Sequence, residues 1–337
     1  SYPSYDLAAI FDQAATNPGI IDTLAKNMVK LMVRVGFNGV DIDYEWNAIQ
    51  PGGTTMQLTE TRAKGFQDLL VALRSEMDQM TTKTGETYLL TSAVFAAPSM
   101  IQDFIDKKGD WEVVSQHVDA LNIMTYDFHG QFNAPATEAD RNDGTVSGFL
   151  SPMDISYLKY PAAQNKNCVI DGIQAYVSAG VDPKDIVVGI PAYTRIMKVI
   201  TISADADNRG AYQQLALVAD QPTGEGGLAG GSWDYKALVN SAYVWGSATL
   251  PDDIVIVPAG TAPREMEMTP WIYSLSGKLF GSFDDGVSAA SKGEWIKNQG
   301  FGGFMIWEID GDIPNTDANF KTLSIAYNAL LGVIGDR

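Results

Sequence analysis

A single cysteine, Cys168, and two histidines, His117 and His129, leave this 337-residue chain poorly equipped for bridges or metal sites. One thiol cannot close an intramolecular disulfide, so the redox compartment is unreadable, and two distant histidines with one cysteine do not make a zinc site. Basic residues are also scarce: 23 Lys and Arg face 41 Asp and Glu, a formal charge of −18. That balance argues against nucleic acid and anionic membrane surfaces as partners, because phosphate groups are bound by clustered cations. A neutral or cationic partner fits better. No run approaches the ~20 consecutive apolar residues of a membrane span. The opening Ser1-Tyr2-Pro3-Ser4 lacks both a methionine and a charged leader region, so the chain is expected to be processed, cropped or split. Three motif look-alikes fail on inspection. Asp205 to Gly210 imitates a calcium loop, but Arg209 takes a ligand position and Ala216 stands where the bidentate glutamate belongs. Gly224-Glu225-Gly226 does not continue into a dinucleotide fingerprint, and no G-x-S-x-G elbow occurs. No cofactor and no metal is expected.

What is present is apolar material, 45% of residues, enough for a sizeable core. Leu24, Met28, Leu31, Met32 and Val35 recur at helical spacing, and the short β-branched run from Phe37 to Tyr44 follows as a strand. The unit repeats: Phe66, Leu69, Leu70, Leu73, Met77 and Met80 share a helical face ahead of the strand Tyr88 to Phe95. Further buried-type strands are expected at Ala120 to Tyr126, Ile186 to Ile190 and Gly303 to Trp307, each preceded by a helical stretch. Alternation of this kind predicts an α/β fold on a parallel sheet. Between Thr194 and Trp271 the pattern changes to short strands (Ile196 to Ile202, Ile254 to Val257), a glycine-rich turn and a short helix at Tyr235 to Val239, which predicts an inserted α+β module. The tail from Phe320 to Leu331 is expected to be one amphipathic helix.

The most informative stretch is Asn38-Gly39-Val40-Asp41-Ile42-Asp43-Tyr44-Glu45-Trp46. Alternate side chains on a strand share a face, so Asp41, Asp43 and Glu45 line one side and Val40, Ile42 and Tyr44 the other. The three acids are expected on a buried strand. Asp41 to Glu45 spans roughly 13 Å at ~3.3 Å per residue, which places only Glu45 at the C-terminal rim. Stacked carboxylates raise one another's pKa, and a proton shared by Asp43 with Asp41 or with Glu45 relieves the repulsion. A carboxylic acid kept protonated near neutral pH is what general acid catalysis requires.

This stretch resembles the D-G-x-D-x-D-x-E signature of glycoside hydrolase family 18, the chitinase family, with Asn38 in place of the first Asp. The resemblance extends along the chain: Met124-Thr125-Tyr126-Asp127 is similar to the family's M-x-Y-D strand end, Gly189 to Arg195 to its G-x-x-x-Y-G-R segment with Thr194 for a Gly, and Gly302 to Glu308 to its last strand. The inserted module sits where the bacterial chitinase A-like branch carries an α+β insertion. The family implies that Glu45 is the general acid and then the base that activates water. Asp43 would orient the substrate N-acetyl group, whose oxygen is the nucleophile, and Asp41 would hold the proton shared with Asp43. Such substrate assistance departs from the usual pair of protein carboxylates. Tyr126 would donate to the reacting acetamido group, Asp127 and Arg195 would hold sugar hydroxyls, Tyr193 would border the site beside Met124, and Trp307 would floor it. Arg195 could equally form a structural ion pair, and Trp307 and Met124 could be core. Trp46, with Phe128, Phe132, Trp233, Tyr235, Trp245 and Trp271, could stack on pyranose faces or pack inside. Asp284 and Asp285 are expected to cap the helix that follows.

The implied fold is a (β/α)8 TIM barrel, here lacking its first three strands, since only five parallel strands are legible. The expected division is a barrel portion at 1–195 and 272–337 and an insertion domain at 196–271. An open edge at the acidic strand is a liability, so a further segment or a separate chain is expected to complete the barrel. The resemblance implies a secreted, extracellular chitinase acting on chitin or N-acetylglucosamine oligosaccharides with retention. The alternatives are an endo-β-N-acetylglucosaminidase on N-glycans, or a non-catalytic chitin-binding, lectin-like subunit of a larger complex. Intact Glu45 argues against the lectin.

Overall fold

The computed structural model describes residues 12–46, 57–155, 167–203, 210–227, 230–246, 249–260 and 268–335. The loop Pro51 to Thr55 and the calcium-loop look-alike between Ala204 and Arg209 lie outside them. Two compact units divide the chain, 1–123 with 173–187 and 124–172 with 188–337. Five strands form a parallel sheet: β1 (Gly39–Asp43), β2 (Leu89–Phe95), β3 (Ala120–Met124), β4 (Ile186–Pro191) and β10 (Gly303–Trp307), in that order.

In the first unit, helix α1 (Pro18–Val35) starts at Asn17, whose side chain accepts the Gly19 amide, with Pro18 at the first helical position where its missing N–H costs nothing. Gly36 ends the helix in the left-handed region at φ 82°, and its amide returns to the last turn. The chain then enters β1, which pairs in parallel with β2 in the register Asp41 opposite Thr91 and Asp43 opposite Ala93. Helix α2 (Glu60–Thr84), capped by Thr59, buries Phe66, Leu69, Leu70, Leu73 and Met77, the face its spacing predicts. After β2 come α3 (Pro98–Asp106) and α4 (Trp111–Ser115), which deliver Phe104 and Trp111 to the core.

The second unit holds an antiparallel sheet of order β6-β5-β9-β8-β7, built from β5 (Tyr193–Lys198), β6 (Ser232–Asp234), β7 (Val255–Val257), β8 (Trp271–Ser274) and β9 (Leu279–Ser282). It therefore starts before 196 and ends beyond 271. Leu279, Phe280, Gly281 and Ser282 are all buried, so β9 shows no alternation by which a sequence reading could find it. The helical stretch expected ahead of β4 is α5 (Val169–Ser178), and the short helix expected at Tyr235 to Val239 is α6 (Tyr235–Val239). Helices α7 (Gly286–Gln299) and α9 (Ile325–Ile334) pack closely because Gly293 and Gly332 face them: a Cβ on Gly293 would come within 2.2 Å of the Ala329 carbonyl. The tail is two helices, since Ser324 ends α8 (Phe320–Leu323) and caps α9 by accepting the Tyr327 amide. No helix among the described residues is long and apolar enough to cross a membrane.

Candidate active site

The acidic row is in the first unit. Ile42, Tyr44 and Trp46 are buried while Asp41 and Asp43 are exposed and Glu45 is half-buried, so the alternation is as predicted but the acids do not stand on a buried strand. Among the described residues β1 ends the strand order, paired with β2. Asp41 is nevertheless fixed: it accepts a short hydrogen bond from the Thr91 hydroxyl, opposite it in register, and one of 3.3 Å from the Asn122 amide on β3. Asp43 stands next to Glu45 on the same face. Although Asp43 is exposed at the surface, the protein around its carboxyl displaces part of its water, and with the like charge of Asp41 this holds it above the usual carboxylate range, against the opposing effect of Glu45.

The opposite face anchors this row. The Tyr44 phenol donates to Asp12, whose carboxylate also takes Arg62 through both Nε and Nη2 at 2.8 and 2.9 Å. The expectation that Trp46 lines a sugar cleft is corrected. Its ring is 1% exposed and lies 5.6 to 5.8 Å from the rings of Phe104, Phe66 and Phe95, which leaves no face for a sugar. Trp46 is core, and so are Trp233, Tyr235, Trp271 and Phe128; Phe132 and Trp245 are exposed.

The second unit gathers most of the remaining candidates. Asp127, in the left-handed region at φ 57°, follows Tyr126 at the end of β3. Arg195 on β5 donates from Nε and Nη2 to the two Asp127 oxygens at 2.8 and 2.7 Å, a bidentate pair, and its guanidinium lies 5.0 Å over the Tyr193 ring. Burial works against the arginine charge, and the Asp127 carboxylate overrides it, so the Arg195 pKa rises above the ordinary value. Burial likewise pushes the Tyr193 phenol well up. The Tyr126 ring meets Tyr193 edge-on at 6.0 Å, and its hydroxyl reaches Met305 Sδ at 3.9 Å. Met305 escaped the sequence reading although it alternates with Trp307 on β10 and so shares its face. Trp307 is 55% exposed, and its carbonyl accepts the Ala192 amide at 2.8 Å, next to Tyr193. Met124 is half-buried at the end of β3. No cluster of His, Cys, Asp and Glu suited to a metal occurs among the described residues.

Asp285 caps α7 as expected, accepting the Val287 and Ser288 amides at 3.0 and 2.9 Å. Asp284 does not: it is fully buried and paired with Lys292 at 2.7 Å.

The chain is an α/β protein with a five-stranded parallel sheet, carboxylates at the end of one of its strands, and an antiparallel sheet. Residues 5–312 match the sequence profile of Glycosyl hydrolases family 18, and the chain belongs to that family. Chitinase 1 of Aphanocladium album is 27% identical over 93% of this chain and 61% of its own length, and Chitinase A1 of Niallia circulans is 28% identical over 92% and 40%. The chain thus spans roughly half the length of these relatives. Among solved structures, chitinase ChiA74 from Bacillus thuringiensis superposes with a TM-score of 0.71 at 24% identity, covering 97% of this chain and 48% of that one. A class V chitinase from Nicotiana tobaccum in complex with NAG4 gives 0.69 at 19% identity, covering 97% and 77%.

Proposed function

We propose that this chain carries the catalytic residues of a chitinase that cleaves β-1,4 bonds between N-acetylglucosamine units with retention, the acetamido group of the substrate acting as nucleophile. The observation that carries the reading is the row of Asp41, Asp43 and Glu45 on one face at the end of β1, in a chain of family 18. In this reading Glu45 protonates the glycosidic oxygen and then activates water. Asp43, held above the usual carboxylate range, takes the proton shared along the row and orients the acetamide; Asp41, pinned by Thr91 and Asn122, supplies the charge that keeps that proton in place. Tyr126 donates to the acetamido group, Tyr193 and Met124 border it, and Trp307, with its exposed indole, stacks on a sugar face. The antiparallel module that β5 to β9 form is the family's α+β insertion. The NAG4 complex of the class V chitinase supports an N-acetylglucosamine oligomer as the ligand. Because an insoluble polymer cannot enter a cell, the enzyme works outside it.

The test is turnover of N-acetylglucosamine tetramers. Glu45→Gln should abolish cleavage and keep binding, and oligomers of unsubstituted glucosamine should be inert because the nucleophile is absent. Full cleavage by Glu45→Gln, or equal cleavage of the unacetylated oligomer, contradicts the mechanism.

A further inference from the structure

We infer that the buried Lys292–Asp284 pair is a positioning device for Tyr126, acting through Ser151; the inference rests on the catalytic reading of Tyr126 given above. The ammonium of Lys292 is wholly buried and has three protons, and three acceptors meet it: Asp284 Oδ2 at 2.7 Å, Ser151 Oγ at 2.6 Å and the Ser151 carbonyl at 2.9 Å. Asp284 is completed by the Ser288 hydroxyl at 2.7 Å. An ammonium accepts no hydrogen bond, so the Ser151 hydroxyl proton cannot point at Lys292. It points instead at the Thr125 carbonyl, immediately before Tyr126.

The neighbouring residue holds the other side. The Leu150 carbonyl accepts the Phe128 amide at 3.1 Å, and the Leu150 amide is itself held by the Ser282 hydroxyl. Residues 150 and 151 therefore clasp the chain on both sides of Tyr126 and Asp127, and each end of the clasp is anchored in the interior. Thr125 is buried and its hydroxyl donates to the Gly189 carbonyl at 2.6 Å, which fixes the strand end from β4 as well. A charge pair placed here costs desolvation that an apolar pair of the same shape would not, so stability alone does not account for it. What the charge supplies is direction: it sets which way the Ser151 hydroxyl donates, and with it the height of the Tyr126 ring beside Tyr193 and Met305.

The experiment pairs a substrate-free reading with a kinetic one. Ser151→Ala removes the relay hydroxyl together with one of the three acceptors of Lys292, and the paired Lys292→Met and Asp284→Asn removes the anchor without burying a lone ion. In both, amide exchange at Phe128 should accelerate about tenfold, the equivalent of one buried hydrogen bond, while α1 and α2 exchange as before. On N-acetylglucosamine tetramers kcat should fall about tenfold with KM little changed, and the fall should vanish when Ser151→Ala is made in a Tyr126→Phe background. Unaltered Phe128 exchange overturns the inference, as does an equal loss of kcat in both backgrounds. Absent turnover by the unaltered chain overturns the catalytic reading instead, and the exchange result then decides the clasp alone.

Discussion

Replacing Arg195 by methionine asks whether the Asp127–Arg195 pair serves the protein or the sugar. The two bonds, 2.8 and 2.7 Å, are charge-assisted, and each such bond contributes ~1.5–3 kcal/mol when shielded from water. The side chains are 22% and 34% exposed, so screening takes the pair toward the lower end. Arg195→Met should therefore cost ~2 kcal/mol, since Asp127 keeps its charge without a partner. Asp127→Asn should cost ~1 kcal/mol, and the double variant should cost less than the sum by ~1–2 kcal/mol. Urea unfolding near neutral pH, read as midpoints at constant slope, gives all four corners of the cycle. A coupling under ~0.3 kcal/mol, the size of an ordinary surface pair, would refute the argument. If each single variant then also weakened oligosaccharide binding with no loss of stability, both residues would be contacts to sugar hydroxyls, as the family resemblance implies.

Other substitutions separate core from site. Trp46→Ala should cost ~3–5 kcal/mol in urea unfolding, since the indole fills an aromatic core; a loss under ~1 kcal/mol would return Trp46 to the cleft. Lys292→Met alone leaves Asp284 buried and unpaired and should cost ~3–5 kcal/mol, with the loss largely reversed when Asp284→Asn is added, as thermal unfolding of the two variants would show. For Asp43 the folded pKa lies above the unfolded ~3.9, so folding favours the protonated form. That contribution is fully present below ~3.9 and is lost as pH rises through the folded value, so Asp43→Asn should gain stability relative to the unaltered chain over that rise. A difference that stays flat with pH would show that the carboxyl is not perturbed.

How much of this was legible depended on whether a residue's partners lie close in sequence. The five parallel strands were readable because each is a short apolar run bounded by turn residues, and the cap at Asp285 follows a local rule. The alternation that puts Asp41, Asp43 and Glu45 on one face was readable for the same reason. Trp46 was not, because what buries it arrives from Phe66, Phe95 and Phe104 on three other elements. Nor was the Asp284–Lys292 pair, whose partners are eight residues apart, a spacing with no helical signature, and are joined through Ser151. β9 was missed because complete burial erases the period by which strands are recognised.

Order in the acidic row follows from strand register. Asp41 meets Thr91 because β1 and β2 pair residue for residue, and the same pairing turns Ile42, Tyr44 and Trp46 inward. A slip of one residue would drive the three acids into the aromatic core and bring those apolar side chains out, at a cost no variation in the acids could offset. Selection for the packed face thus fixes the spacing of the chemical face. The second anchor reinforces it, since the Tyr44 phenol donates to Asp12, which Arg62 at the start of α2 holds in place at 2.8 Å. One alternating sequence thus sets both the packed face of the strand and the spacing of its acids.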